Sequence, residues 1–184
     1  MEFRSERVDL VQLIGETRDI LRTVAARKRI AVSTHVDPAV QEAELDPAKF
    51  KQVLYTSLSN ALKFTPDEGR VALRVGPEGP DHSRLEVEDS GIGIRPEDRA
   101  RLFVEFQQLD AGTAKKYQGT GLGLALIKRV VEAQGRRVRV ESLPGQGSTF
   151  SAVLPRVARV APVAEPEAAA EPAKTARPPS ATAQ

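Results

Sequence analysis

Apolar residues recur at helical spacing in three long stretches of this chain, with alternating, strand-like runs between them. The first stretch starts at a capping Asp9 and reaches about Lys28, and Leu10, Leu13, Ile14, Ile20, Leu21 and Val24 fall mainly on one face. Residues 30–36 (IAVSTHV) alternate in part and predict a strand. A loop through Asp37-Pro38 and a short strand at 42–45 follow. Asp46-Pro47 then marks a helix start, because an aspartate caps open N–H groups and proline fits the first helical position. This helix is expected to reach Phe64, with Phe50, Val53, Leu54, Leu58, Ala61 and Leu62 inward. Thr65-Pro66 ends it, since a residue before proline avoids the helical region.

Residues 70–75 and 84–88 alternate around the turn-rich GPEGPD and predict a hairpin. The run DSGIGI (89–94) predicts a glycine turn and 96–102 a short helix. Residues 103–118 have no clear period and read as a mobile loop. The third helix occupies about 120–134, and 138–142 with 148–154 predict a last hairpin around PGQG. From about Val157 the chain is rich in Ala, Pro and Glu, and is expected to be a disordered tail or linker. The division is therefore a domain over 1–156 and a tail over 157–184. Too few helices are available to cover both faces of a sheet. The expected class is α+β: a two-layer α/β sandwich, its mixed sheet carrying helices on one face.

Four stretches carry candidate chemistry. In SLSNALKFTP, Thr56, Asn60, Lys63 and Phe64 share a helix face or its edge. Asparagine forms helices poorly, yet its amide oxygen can ligate a hard cation such as Mg²⁺. The alternative is a solvated face with an incidental asparagine. In VEDSGIGI, Asp89 ends a strand and can accept a hydrogen bond from an exocyclic amine, or it can simply close an Asx turn. In RLFVEFQQLD, Phe103 and Phe106 read as core packing or as ligand contacts. In GTGLGLALIK, Gly119, Gly121 and Gly123 precede an apolar helix pattern. Glycines there let backbone approach a ligand closely, and the helix start suits a phosphate. The spacing matches neither the Walker pattern nor the dinucleotide fingerprint.

These four stretches, in this order, resemble the N, G1, F and G2 boxes of the ATP-binding catalytic domain of sensor histidine kinases. That family lies within the superfamily of gyrase, Hsp90 and MutL. The resemblance spans about residues 8–155 and implies the Bergerat-type sandwich fold. By position, it implies that Asn60 binds Mg²⁺ and that Lys63 contacts phosphate, with Thr56 beside them as a third catalytic position. Phe64, Gly91, Ile94 and Phe103 would line the nucleotide pocket. Asp89 would read the adenine amine, with Gly93 beside the ring and Thr149 helping through water. Gly119, Thr120, Gly121, Leu122, Gly123 and Leu124 would hold the phosphates, under a lid that includes Lys115 or Lys116.

Three departures from the family pattern stand out. Thr56 occupies the place of a second asparagine, or of a glutamate base in hydrolysing relatives. Arg136 replaces the second glycine of a Gly-Gly turn. The phosphoacceptor is missing: neither His35 nor His82 sits in a helical acceptor context. The resemblance therefore implies a histidine on a separate dimerisation domain, preceding residue 1 or on another chain, and a response regulator receiver domain as partner. Two other readings stay open. One is a stand-alone serine kinase of the anti-sigma type, against which the F box argues. The other is a nucleotide-responsive binding module without catalysis, for which Thr56 argues.

Composition narrows this little. Hydrophobic residues make up 40% and charged residues 28%, and the net charge of +2 gives no reason to expect nucleic acid. The chain has no cysteine, which excludes disulfide and thiolate chemistry. No apolar run approaches the roughly 18–20 residues of a bilayer span, so the domain itself is expected to be cytoplasmic.

Overall fold

The computed structural model describes residues 2, 4–103 and 123–156. Its elements run β1 (Glu6–Asp9), α1 (Leu10–Arg27), β2 (Ala31–Val36), a 3₁₀ turn (Pro38–Val40), β3 (Glu42–Leu45) and α2 (Pro47–Phe64). Then come β4 (Arg70–Glu78), β5 (His82–Asp89), α3 (Pro96–Arg99), α4 (Gly123–Glu132), β6 (Val138–Leu143) and β7 (Gly147–Pro155).

Both long helices begin where their capping side chains dictate. Asp9 accepts from the Gln12 N–H at 3.0 Å, and Asp46 accepts from the Lys49 N–H at 3.0 Å with Pro47 just inside the helix. Each cap satisfies a donor that the first helical turn leaves open. The main sheet has the order β2-β4-β5-β7-β6. β2 runs parallel to β4, and the other neighbours are antiparallel. β1 and β3 form a separate antiparallel pair.

Side chains alternate between the faces of a strand, and that alternation makes the two layers. Val71, Leu73, Val75, Leu85 and Val87 are buried on one face, where they join Leu54, Leu58 and Leu62 of α2 and Ile127 of α4 in the core. Burying such a side chain contributes roughly 1.5–3 kcal/mol. The intervening residues face solvent, and there Arg74 donates to Glu88 at 2.6 Å across β4 and β5. The result is the expected two-layer α+β sandwich with a mixed sheet.

Details differ from expectation. The buried stripe of α1 is Leu10, Leu13, Ile14, Thr17, Leu21 and Ala25, whereas Ile20 is 68% exposed and Val24 44%. Thr17 can hold a core position because its hydroxyl donates to the Leu13 carbonyl at 3.0 Å. The stripe thus runs one side further round than the aliphatic residues alone suggest. β1 is a strand that its sequence ERVD does not announce, and α3 ends at Arg99 rather than near residue 102. The tail over 157–184 and residues 104–118 of the expected lid lie outside the described residues.

Candidate functional site

The C-terminal end of α2, the glycine turn after β5 and the β6–β7 turn converge at one end of the sheet. At the α2 end, Lys63 Nζ lies 5.4 Å from the centre of the Phe64 ring. Partial burial holds the Lys63 ammonium below its usual pKa, because a charged group loses hydration there. The helix stops at Thr65, which is extended ahead of Pro66. The Phe64 carbonyl then accepts from the Ile92 N–H at 3.2 Å. That bond ties α2 to the 89–94 turn.

Asp89 closes this turn. Its Oδ1 accepts from the Gly91 N–H at 2.9 Å. Burial pushes its carboxyl above the usual 3.8, against the opposing pull of backbone donors from Gly91 and Ser148. The Asx turn and a recognition role are compatible, since a carboxylate has two oxygens and about four lone-pair sites.

Backbone crowds this end of the site. A Cβ on Gly91 would lie 2.6 Å from the Phe64 carbonyl oxygen, and one on Gly93 would lie 2.0 Å from that of Leu143. Gly93 also has φ +70, a left-handed conformation that suits glycine. Ser142 is buried and knits the turns together: it accepts from the Ile94 N–H at 2.8 Å and donates to the Gly147 carbonyl at 2.9 Å. Its hydroxyl also lies 2.8 Å from that of Ser148. Arg99 Nη2 donates to the Ser142 carbonyl at 2.7 Å, tying α3 to β6.

The other end of the site is made where α4 meets α2. A Cβ on Gly123 would lie 2.9 Å from Thr56 Cγ2 and 3.6 Å from Asn60 Nδ2. Gly123 thus brings the start of α4 against the two α2 positions singled out from the sequence. Leu124, next along, packs against the core.

Thr56, Asn60, Lys63, Phe64, Asp89, Gly91, Gly93, Ile94 and Gly123 therefore gather around one region. Phe103 is placed differently, with its ring 5.8 Å from Lys128 Nζ of α4. Thr149 pairs with Glu88, while Ser148 pairs with Asp89. Alternation turns Thr149 to the face of Glu88, so Ser148 is the hydroxyl residue beside Asp89. Lys115, Lys116, Gly119, Thr120, Gly121 and Leu122 lie outside the described residues. Neither histidine is helical: His35 lies on β2, and His82 opens β5 with its Nε2 bonded to Arg136.

Sequence reasoning missed Ser142, Ser148 and Gly147. Only Gly147 left a signal, as the second glycine of PGQG; its φ is +91, and a Cβ there would lie 1.9 Å from the Asp89 carbonyl oxygen.

The model of the histidine kinase-, DNA gyrase B-, and HSP90-like ATPase family matches residues 45–158, and the chain belongs to that family. It is 48% identical over 118 residues to the circadian input-output histidine kinase CikA of Synechococcus elongatus, covering 64% of this chain and 16% of CikA. It is 37% identical over 162 residues to the sensor histidine kinase RcsC of Escherichia coli, covering 84% of this chain and 17% of RcsC. Among solved structures, full-length ShkA in complex with AMPPNP is similar with a TM-score of 0.76 and 31% identity. That match covers 89% of this chain and 33% of ShkA. The catalytic domain of the histidine kinase ThkA matches with a TM-score of 0.72 and 25% identity, covering 85% of this chain and 97% of that domain. The chain thus corresponds to the ATP-binding catalytic domain of histidine kinases and spans about a sixth of CikA or RcsC. No helix among the described residues is long and apolar enough to cross a membrane.

Proposed function

We propose that this domain binds Mg·ATP between α2, the 89–94 turn and the start of α4, and delivers the γ-phosphoryl group to a histidine on a separate dimerisation domain. A response regulator receiver domain would take the phosphoryl group from that histidine. The observation that carries this reading is the approach of Gly123 to Thr56 and Asn60. It joins the glycine-rich stretch to the α2 face that bears the amide and the lysine, with Asp89 at the far end to read the base.

The residues fit a metal held mainly by the nucleotide. Among the described residues no group of three or more His, Cys, Asp or Glu could hold a metal ion. Mg²⁺ commonly keeps its waters and relies on substrate phosphates plus one or two protein oxygens. The Asn60 amide oxygen would be such a ligand, and the metal would neutralise charge on the transferring group. Lys63 would meet the phosphates. The Asp89 carboxylate would accept from the adenine amine, which guanine lacks at that position. The acceptor imidazole is itself the nucleophile, so the domain needs positioning and charge stabilisation more than a base. The Thr56 hydroxyl is no base near neutral pH, so hydrolysis by water should be slow.

The test supplies a histidine-bearing dimerisation domain in trans with γ-labelled ATP. Acid-labile label on that domain, with little phosphate released in its absence, is the expected result. Tight Mg·ATP binding without any transfer would favour the binding-module reading that Thr56 suggests. Rapid hydrolysis without an acceptor would contradict the role given to position 56.

A further inference from the structure

We propose that Lys28 is a positioning residue for the nucleotide site, acting through the C-terminal end of α2; this rests on the nucleotide-binding reading above. The last four carbonyls of a helix lack partners within it. In α2 all four are accounted for. The Ala61 carbonyl accepts from the Thr65 N–H at 3.1 Å and from the Thr65 hydroxyl at 2.6 Å. Those of Leu62 and Lys63 accept from Lys28 Nζ at 2.7 and 3.3 Å. That of Phe64 accepts from the Ile92 N–H. Lys28 Nζ also donates to the Thr65 carbonyl at 2.5 Å.

One ammonium therefore takes the carbonyls on both sides of Phe64 and leaves the Phe64 carbonyl to the 89–94 turn. Three donors on a compact head match three acceptors, and a cation suits the negative end of a helix. The residues so held are Lys63 and Phe64, which border the nucleotide region, together with the anchor of the Asp89 turn. Without the ammonium, three carbonyls would turn toward water or toward other donors. The Phe64–Ile92 bond would then lose its fixed geometry.

The surrounding backbone is built for this contact. Arg29, directly after Lys28, has φ +51, and Glu68 has φ +68; they are the non-glycine residues with positive φ among those described. They face each other: Arg29 Nε lies 3.4 Å from Glu68 Oε1, and the Glu68 N–H donates to the Lys28 carbonyl at 2.9 Å. Ala31 N–H donates to the Gly69 carbonyl at 3.0 Å alongside. Left-handed conformations in side-chain-bearing residues persist where the surroundings over-determine them. Here they let the chain leave α1 with Lys28 directed under α2.

The test measures the affinity of the whole chain for trinitrophenyl-ATP, well below the melting temperature. The variants are Lys28→Met and the double variant Lys28→Met with Arg29→Gly. Glycine accepts φ +51 without strain, so the double variant offsets part of the stability lost and leaves the ammonium absent. Both variants should bind about tenfold more weakly, and transfer to a histidine-bearing dimerisation domain supplied in trans, at saturating Mg·ATP, should keep its rate. Lys28→Arg, which retains the charge and several donors, should recover most of the affinity. Wild-type affinity in the double variant would overturn the proposal and leave Lys28 as a staple of the fold alone. A wild-type chain that binds no nucleotide would sink the nucleotide reading and this inference together.

Discussion

The two ends of the site are held by different means. At the end proposed to hold adenine, backbone meets backbone: Gly91, Gly93 and Gly147 leave room for the carbonyls of Phe64, Leu143 and Asp89. At the end proposed to hold the phosphates, a glycine meets side chains, with Gly123 against Thr56 and the Asn60 amide. Backbone cannot rotate aside, so the adenine end should be rigid and intolerant of substitution. Side chains can shift by rotamer changes, so the phosphate end should be graded and adjustable. A domain with the proposed function would gain from that division, since base recognition would be fixed while the phosphate region would pass through the transfer step.

The strongest challenge to the comparison is Gly147→Ala. The added methyl would lie 1.9 Å from the Asp89 carbonyl oxygen on a residue with φ +91. Left-handed strain and overpacking each cost about 1–3 kcal/mol. The expected loss is about 3 kcal/mol or more in chemical denaturation, together with the loss of nucleotide binding. Gly145→Ala is the control, because Gly145 has φ +76 but nothing within 4 Å of its Cβ position. It should lose only the strain cost. Equal losses for both would mean that backbone crowding is not what holds the adenine end.

Asp89→Asn tests the recognition that this rigid end presents. A hydrogen bond to a charged group is worth about 1.5–3 kcal/mol, so ATP affinity should fall roughly 10- to 150-fold. Wild type should bind GTP poorly, and isothermal titration with both nucleotides measures the difference. Equal wild-type affinities for ATP and GTP would remove Asp89 from base selection.

The same carboxylate should give affinity an acid limb. Burial raises the Asp89 pKa, so the folded chain holds the proton better than the unfolded chain does. Lowering pH through the raised pKa toward 3.8 therefore relieves the fold of a buried charge while turning the charged acceptor for the amine into a weaker neutral one. Apo stability from this group should rise as nucleotide affinity falls, within a window that opens above the ordinary aspartate value. The ratio of wild-type to Asp89→Asn affinity across pH isolates the effect, because the titration of the nucleotide itself cancels. A ratio that stays constant with pH would mean that Asp89 does not titrate in contact with the base.

What was legible in the chain follows the same division between local and distant causes. The α2 helix could be read to its ends, because Asp46-Pro47 and Thr65-Pro66 act within a turn of themselves. Asn60, Lys63 and Asp89 stood out as residue types out of place in a helix or at a strand end. Lys28 gave no sign, because its acceptors lie 34–37 residues further along. β1 is strand only because β3 pairs with it from 33–39 residues further along. Ser148 could not be told from Thr149 without the register against β5, since a one-residue slip reverses every side chain. Long-range pairing decided all three, and no local pattern reports it.

The smallest expected effect probes the adjustable end. Gly123→Ala adds a methyl 2.9 Å from Thr56 Cγ2, yet only 3.6 Å from Asn60 Nδ2, which is ordinary contact. Threonine in a helix divides between two χ1 rotamers, so its methyl can leave the contact only by a complete rotamer change, the graded cost expected of this end. Against this clash stands the helix preference of alanine over glycine, worth up to about 1 kcal/mol. In wild type the two terms oppose each other, and the clash should prevail with a several-fold loss of Mg·ATP affinity. Thr56→Ser deletes the methyl and keeps the hydroxyl. In that background Gly123→Ala should be neutral or slightly stabilising. The double-mutant cycle should therefore show a coupling of about 0.5–1 kcal/mol, read from both melting temperature and affinity. If alanine at 123 costs the same with threonine or serine at 56, the start of α4 does not lean on Thr56. The phosphate end would then be held by contacts other than the one on which the functional reading rests.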